Sequence, residues 1–363
     1  MPYVAPFETA GGREEHKDCV LVRAWADGIS GWGESPVPMT PFYMEETVET
    51  AWPIMTRFLA PRVLGRPFTH PAEIAAWLQP IRRHRFAKSG LEAAAWDLYA
   101  QAQGISMARA LGGTRTTVAV GISIGIEPTI DATLRRIETW LSIGYQRIKV
   151  KIKPGWDVEV VAAIRRRFGS IPLQVDANAA YALRDTSRLQ ALDAYMLAMI
   201  EQPLDVDDIV DHAALQRELR TPICLDESIG SADDARKALD LGACRIINVK
   251  AARMGGLSEA LRCHTLSRER GIDLWCGGLL ETGIGRAANI ALASLPGFTL
   301  PADLSASRRY FHEDLIYPEV EVAPDGTVGV PSDPGLGFRV VEPAAERYSV
   351  RKETLRAGEA AAT

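Results

Sequence analysis

The sequence predicts an α/β fold, a (β/α)7β TIM-like barrel preceded by an α+β domain, and three observations carry that prediction. The first is the stretch 147–153, which places Ile148, Val150 and Ile152 on one face and Arg147, Lys149, Lys151 and Lys153 on the other. A period of two is that of a strand. Taken alone, it fits a half-exposed antiparallel strand with a solvated basic face equally well. The second observation is recurrence. An amphipathic segment follows over 157–168, then a short apolar run ends on Asp176, and the same ending returns at Glu201, Asp226 and Lys250. Counted from Lys151, the spacings are 25, 25, 25 and 24 residues. A steady period of that size is one βα unit. The third is the count: eight such strands can be drawn, enough to close a barrel, and no clear helix follows the eighth over 301–318.

Taken in order, residues 1–114 read as the α+β domain. Strands are predicted at 19–26 and 31–34 around the turn signal Asp27, Gly28. Helices are predicted at 44–59, 71–83 and 88–103, with Gly104 as a cap. The connection 111–114 is the boundary. The barrel occupies 115–318, with strands at 118–123, 146–151, 173–176, 198–201, 223–226, 245–250, 274–276 and 298–300. Segments of period near 3.6 lie between them, for example 257–270. The tail 319–363 reads as turns and short strands that fold back on the first domain, ending in an Ala-rich stretch at 357–363.

Composition excludes several classes. With 46 acidic against 41 basic residues the net charge is −5, which gives no electrostatic case for nucleic acid. No apolar run reaches membrane-spanning length, and the first residues have neither a basic nor an apolar signal region. Cys19, Cys224, Cys244, Cys263 and Cys276 are an odd number without close pairing, as expected of reduced thiols in a cytoplasmic protein.

In a closed βα barrel, residues that end strands gather at the C-terminal mouth. Asp176, Glu201 and Asp226 come from three successive strands. Any one of them is compatible with a solvated loop carboxylate or a helix cap. Three at a fixed period repel one another unless a cation balances them, and oxygen-only donors favour a hard ion, Mg²⁺ before Ca²⁺ or Mn²⁺. Lys151 and Lys250 end strands on either side of the acids. A lysine ordinarily titrates near about 10.4, and a nearby dication makes it a better base. Two opposed lysines around a metal suit proton removal from the carbon next to a carboxylate, with the metal stabilising the ene-diolate. The bland alternative for each lysine is a snorkelling surface cation. His16, His70, His84, His212, His264 and His312 all fall outside predicted strand ends and do not compete for the role.

The ordered set of Lys149 and Lys151, Asp176 with Asn178, Glu201 followed by Gln202 and Pro203, Asp226 with Glu227 and Ser228, Asn248 with Lys250, and the run Gly277, Gly278, Leu279, Leu280, Glu281, Thr282, Gly283 resembles the enolase superfamily, muconate-lactonizing-enzyme subgroup. Within it, the chain is most similar to the N-succinylamino acid racemase/o-succinylbenzoate synthase family, over nearly its whole length. The resemblance implies that the α+β domain caps the barrel. It implies one Mg²⁺, for which Mn²⁺ can substitute, held by Asp176, Glu201 and Asp226, with Lys151 and Lys250 as the acid/base pair. It also implies substrate contacts from Lys149, Ser123, Asn178, Tyr43, Tyr310 and Arg253, the last at a position associated with the racemase branch. The expected substrate is a small carboxylate and the expected assembly a homo-oligomer. One departure stands out: family members carry an additional strand before the equivalent of residues 1–6, so either the start codon is misassigned or the capping sheet lacks an edge. That bears on the capping loop at 7–13, which helps set specificity.

The expected reaction is racemisation of N-acyl amino acids, N-succinyl preferred, with o-succinylbenzoate synthesis by syn dehydration as a second activity. A dipeptide epimerase or cycloisomerase would use the same centre. A Schiff-base aldolase also places a lysine on a barrel strand but needs no metal.

Overall fold

The computed structural model describes residues 1–9 and 12–358. The tip of the 7–13 loop and residues 359–363 of the Ala-rich end lie outside the described residues. Strands β1 (Pro2–Thr9) and β2 (Gly12–His16), absent from the sequence-based prediction, pair as an antiparallel hairpin. Strands β3 (Val20–Ala26) and β4 (Ile29–Ser35) form a second hairpin. It turns on Asp27 and Gly28, both at positive φ, as that turn signal requires. The predicted helix at 44–59 starts later, at Val48–Ile54, because the Thr47 side chain accepts from Thr50 N and caps it there. It continues as a π-turn over Met55–Leu59, just after Pro53, whose missing N–H interrupts the regular ladder. The helices Pro71–Leu78 and Arg85–Ala102 complete the cap. Strand β4 lies almost on the backbone of the second: a Cβ at Gly33 would sit 2.2 Å from the Gly90 carbonyl oxygen.

The predicted strand at 118–123 divides in two. Strand β5 (Thr117–Ala119) turns away to pair antiparallel with β14 (Thr327–Gly329) of the tail, and β6 (Gly121–Ile124) opens the barrel. It is followed in spatial order by β7 (Arg147–Lys151), β8 (Leu173–Asp176), β9 (Ile200–Glu201), β10 (Ile223–Leu225), β11 (Ile246–Val249) and β12 (Asp273–Cys276), all parallel. The predicted eighth strand at 298–300 is not a regular strand. Isolated bridges tie Phe298 to Leu274 and Ala302 to Val120. The ring closes through single bonds, Asp303 N to Cys276 O at 2.9 Å and Gly121 N to Ala302 O at 2.8 Å. Pro301 has no N–H to offer a ladder, which accounts for the irregularity. In the tail, β13 (Ile316–Tyr317) pairs with β15 (Arg339–Val340), Gly335 N donates to Ile105 O at 3.0 Å, and Arg23 pairs with Glu342 at 2.8 Å.

The alternation at 147–151 now has its explanation. Ile148 and Val150 are buried in the core that includes Val160, Val161 and Ile164 of the helix Val158–Phe168. The basic face is buried too, because it points into the barrel. The barrel interior is filled by Met199, Cys224, Ile246 and Trp275 with Leu300 against them. Arg147 and Lys149 stack on the Trp275 ring, 4.8 and 4.7 Å from its centre. All five cysteines are free thiols, four of them buried, and no helix among the described residues is long and apolar enough to cross a membrane.

Two buried carboxylates of the cap join it to the barrel by capping barrel helices. Glu92 accepts from Ser258 N at 2.9 Å, at the start of the helix Leu257–Glu269, whose own cap residue is Gly256. Glu34 accepts from Thr282 Oγ1 at 2.6 Å and Gly285 N at 2.9 Å, at the start of Gly283–Ala293. Burial pushes the Glu34 carboxyl up to about 7, against the opposing charge of Lys17. An acid whose pKa rises on folding adds stability below its unfolded pKa, and that contribution disappears as pH climbs through the folded value. Between about pH 4.5 and 7, ionisation of Glu34 therefore weakens the cap–barrel junction. Melting temperatures of the parent and of Glu34→Gln, measured from pH 5 to 8, should show a shallower decline in the variant; parallel curves would rule Glu34 out as the source.

Candidate active site

The mouth of the barrel is a cluster of buried ion pairs. Lys151 Nζ lies 2.7 Å from Asp176 Oδ2 and donates to Asn178 Oδ1 at 2.6 Å. Lys149 Nζ sits between Asp176 Oδ2 at 3.3 Å, Glu201 Oε2 at 3.2 Å and Asp303 Oδ2 at 2.8 Å. Glu201 also accepts from Gln174 Nε2 and Asn248 Nδ2, both at 2.8 Å. On the far wall Lys250 Nζ lies 2.8 Å from Asp226 Oδ2 and donates to the Tyr43 hydroxyl at 2.9 Å. The Arg253 guanidinium bonds Asp226 Oδ1, Ile229 O and Asn248 O. Lys151 ends β7 and Lys250 immediately follows β11, four strands further on; in an eight-membered ring that is the opposite wall.

Burial would lower the Lys149 pKa, but Asp303, Glu201 and Asp176 outweigh it and hold the ammonium charged. For Asp176 burial raises the pKa, and Lys151 and Lys149 more than reverse it. Burial likewise opposes, and Lys149 and Arg147 overcome it, in bringing Asp303 down to about 2.

Each expected ligand carboxylate thus has a basic partner, and among the described residues no three His, Cys, Asp or Glu side chains form a group that could hold a metal. In a buried, low-dielectric mouth each carboxylate takes the nearest ammonium or guanidinium. The donor set nonetheless fits a hard dication. All donors are carboxylate oxygens, and Asp176 and Glu201 already converge on the single positive charge of Lys149.

Among the expected substrate contacts, Tyr43 reaches the cluster from the cap and Asn178 from the loop after β8. Ser123 is buried on β6 in register with Lys149. Arg253 differs from expectation: it is fully buried with its nitrogens on protein acceptors, so it supports Asp226 instead of facing a substrate. Tyr310 packs instead in an aromatic cluster with Tyr3 and Phe311, its hydroxyl 3.5 Å from Ser305 Oγ. Sequence reasoning assigned no role to Asp303, Gln174, Gln202 or Glu227. Gln202 Oε1 accepts from Asp226 N at 3.1 Å and Ser228 N at 3.2 Å and so shapes the loop carrying Asp226. Adjacency to Glu201 and Asp226 was a usable signal for Gln202 and Glu227. Asp303 had none, since it follows an irregular strand.

The chain is similar to known proteins over nearly its whole length. Residues 1–112 match the model of the mandelate racemase/muconate lactonizing enzyme N-terminal domain, and residues 132–344 match that of the enolase C-terminal domain-like family. The chain belongs to the enolase superfamily. Members of this superfamily are generally divalent-metal dependent. An o-succinylbenzoate synthase of Geobacillus kaustophilus is 54% identical over 350 residues, covering 96% of this chain and 93% of that protein. An N-succinylamino acid racemase of Thermus thermophilus is 46% identical over 357 residues, covering 98% and 96%. A solved enolase-superfamily protein of Listeria innocua superposes with a TM-score of 0.93 at 40% identity, covering 96% of this chain and 94% of that one.

Proposed function

We propose that this superfamily member is a cytoplasmic enzyme that removes the proton α to a carboxylate, racemising N-succinyl amino acids and carrying out o-succinylbenzoate synthesis by syn dehydration at the same centre. The observation that carries the reading is the pair of buried lysines, Lys151 and Lys250, on opposite walls of one mouth. Similarity to both a synthase and a racemase supports it, since both reactions begin with the same proton.

Asp176, Glu201 and Asp226 would hold Mg²⁺. A bound dication supplies positive charge to the substrate carboxylate as electron density moves onto its oxygens. Lys149, kept charged chiefly by Asp303, would pair with that carboxylate. Lys151 takes the α-proton from one face and Lys250 delivers one to the other, which inverts the centre. In the dehydration, Lys151 takes the proton and returns it to the departing hydroxyl as water on the same face, while the Lys250 charge stabilises the anion in between. The mouth brings Arg147, Lys149, Lys151, Lys250 and Arg253 together with Asp176, Glu201, Asp226, Glu227 and Asp303. A dication makes this set net positive, which favours a substrate with two carboxylates.

¹H NMR of D and L N-succinyl amino acids in D₂O, run beside the dehydration assay, tests the reading. Loss of the α-proton signal from both antipodes with Mg²⁺, stopped by EDTA, is expected. Exchange untouched by EDTA together with an adduct trapped by borohydride would instead assign a Schiff-base lysine.

A further inference from the structure

Glu227 has no part in the mechanism above, yet it is a buried carboxylate in the mouth, 5% exposed. Its Oε1 accepts from Asn178 Nδ2 at 2.8 Å, and its Oε2 has no hydrogen-bond partner. Asn178 in turn accepts from Lys151 Nζ at 2.6 Å through Oδ1. The asparagine is held from behind as well: its backbone N donates to Asp176 Oδ1 at 3.1 Å, and its φ is 41°, a left-handed conformation that Asn tolerates better than most residues.

The three residues make a directed chain. An amide has a donating end and an accepting end, and its neighbours decide which way it lies. Glu227 Oε1 only accepts, whether or not Oε2 carries a proton. It therefore takes the NH₂ end of Asn178, leaving the carbonyl oxygen facing Lys151. The reverse orientation would set NH₂ against the lysine's own donors and oxygen against oxygen at Glu227. Asp176 and Asn178 are the two side-chain acceptors on Lys151. Once Asp176 turns its oxygens to a cation, Asn178 is the one left to hold the amine.

We propose that Glu227 is a positioning residue which, through Asn178, fixes an acceptor against Lys151 and so aims that lysine at the substrate α-carbon. The proposal rests on Lys151 being the base on one face. It makes a face-selective prediction: Lys250 is held by Tyr43 and Asp226 and takes no part in the hydrogen-bonded chain, although the Glu227 charge also reaches it through space.

Glu227→Gln keeps size but can present either end of an amide to Asn178, so the direction is lost. Exchange in D₂O from the antipode served by Lys151 should fall about 10–100-fold, the range for groups that orient a reacting residue. Exchange from the other antipode, which also reports folding, should fall by much less, because Glu227 reaches Lys250 only as a charge through space, and Mg²⁺ should still bind by titration calorimetry. The double variant Asn178→Asp with Glu227→Gln restores direction, because the new amide donates to the new carboxylate and an acceptor again faces Lys151. It should recover most of the lost exchange, whereas Asn178→Asp by itself sets two carboxylates together and should not. Equal loss on both faces, no loss, or a double variant no better than Glu227→Gln overturns the proposal. Lys151→Ala measured alongside keeps the two readings apart: if it exchanges both antipodes at the parent rate, the base assignment itself has failed.

Discussion

Lys151→Ala should abolish α-hydrogen exchange from one antipode of an N-succinyl amino acid and leave exchange from the other, with Lys250→Ala giving the mirror image. A positioned general base contributes about 10²–10⁴-fold, so each loss should be of that order. Racemisation needs both bases and should stop in either variant. The two lysines are not equivalent structurally, which sharpens the expectation. Lys151 is bonded within the barrel, to Asp176 and Asn178, whereas Lys250 is tied to the cap through Tyr43. For dehydration, which uses one face, Lys151→Ala should remove activity. Lys250→Ala should reduce it by withdrawing a positive charge. The measurement is ¹H NMR in D₂O on separate D and L substrates. Racemisation persisting in either single variant would refute a two-base mechanism.

Loss of a mouth carboxylate should be as severe for turnover, and at Asp226 it should also reach the fold. Asp176→Asn, Glu201→Gln and Asp226→Asn should each weaken Mg²⁺ binding and reduce turnover by about a thousandfold or more, because a catalytic ion contributes several kcal/mol. Full activity of any one at ordinary Mg²⁺ would remove that residue from the ligand set. Asp226→Ala is a different case. Asp226 pairs with both Lys250 and the fully buried Arg253. Stripping one partner from a buried pair costs about 3–5 kcal/mol. Chemical denaturation should therefore show Asp226→Ala clearly less stable than Asp226→Asn, whose amide oxygen can still accept from Arg253. Equal stabilities would mean the arginine finds water or another acceptor.

Much of the site was legible in one dimension because barrel chemistry is written at strand ends. Lys151, Asp176 and Glu201 close their strands, while Asp226 and Lys250 stand one residue beyond theirs. A period of about 25 residues marks all five positions without knowledge of any contact. What resisted reading depends on irregular backbone. Asp303 follows a segment that closes the barrel without being a strand, and the β1/β2 hairpin lies where no alternation of polar and apolar residues marks it. Arg253 could be associated with the site but not assigned its task, since only packing shows its guanidinium turned onto Asp226.

The sequence by itself determined the barrel, its order of strands and the set of ionisable residues at its mouth, because periodic burial of apolar side chains dictates both strand direction and which residues are left at the ends. Only the tertiary structure decided how those charges are partnered. Lys149 balances three carboxylates from β8, β9 and the closing segment, Tyr43 reaches Lys250 across 207 positions of chain, and Glu227 reaches Lys151 through Asn178. The reason is physical: charge pairing in a buried mouth depends on separations of about 3 Å, where low dielectric makes each partner count. Spacing along a chain cannot specify distances of that size between residues on different strands.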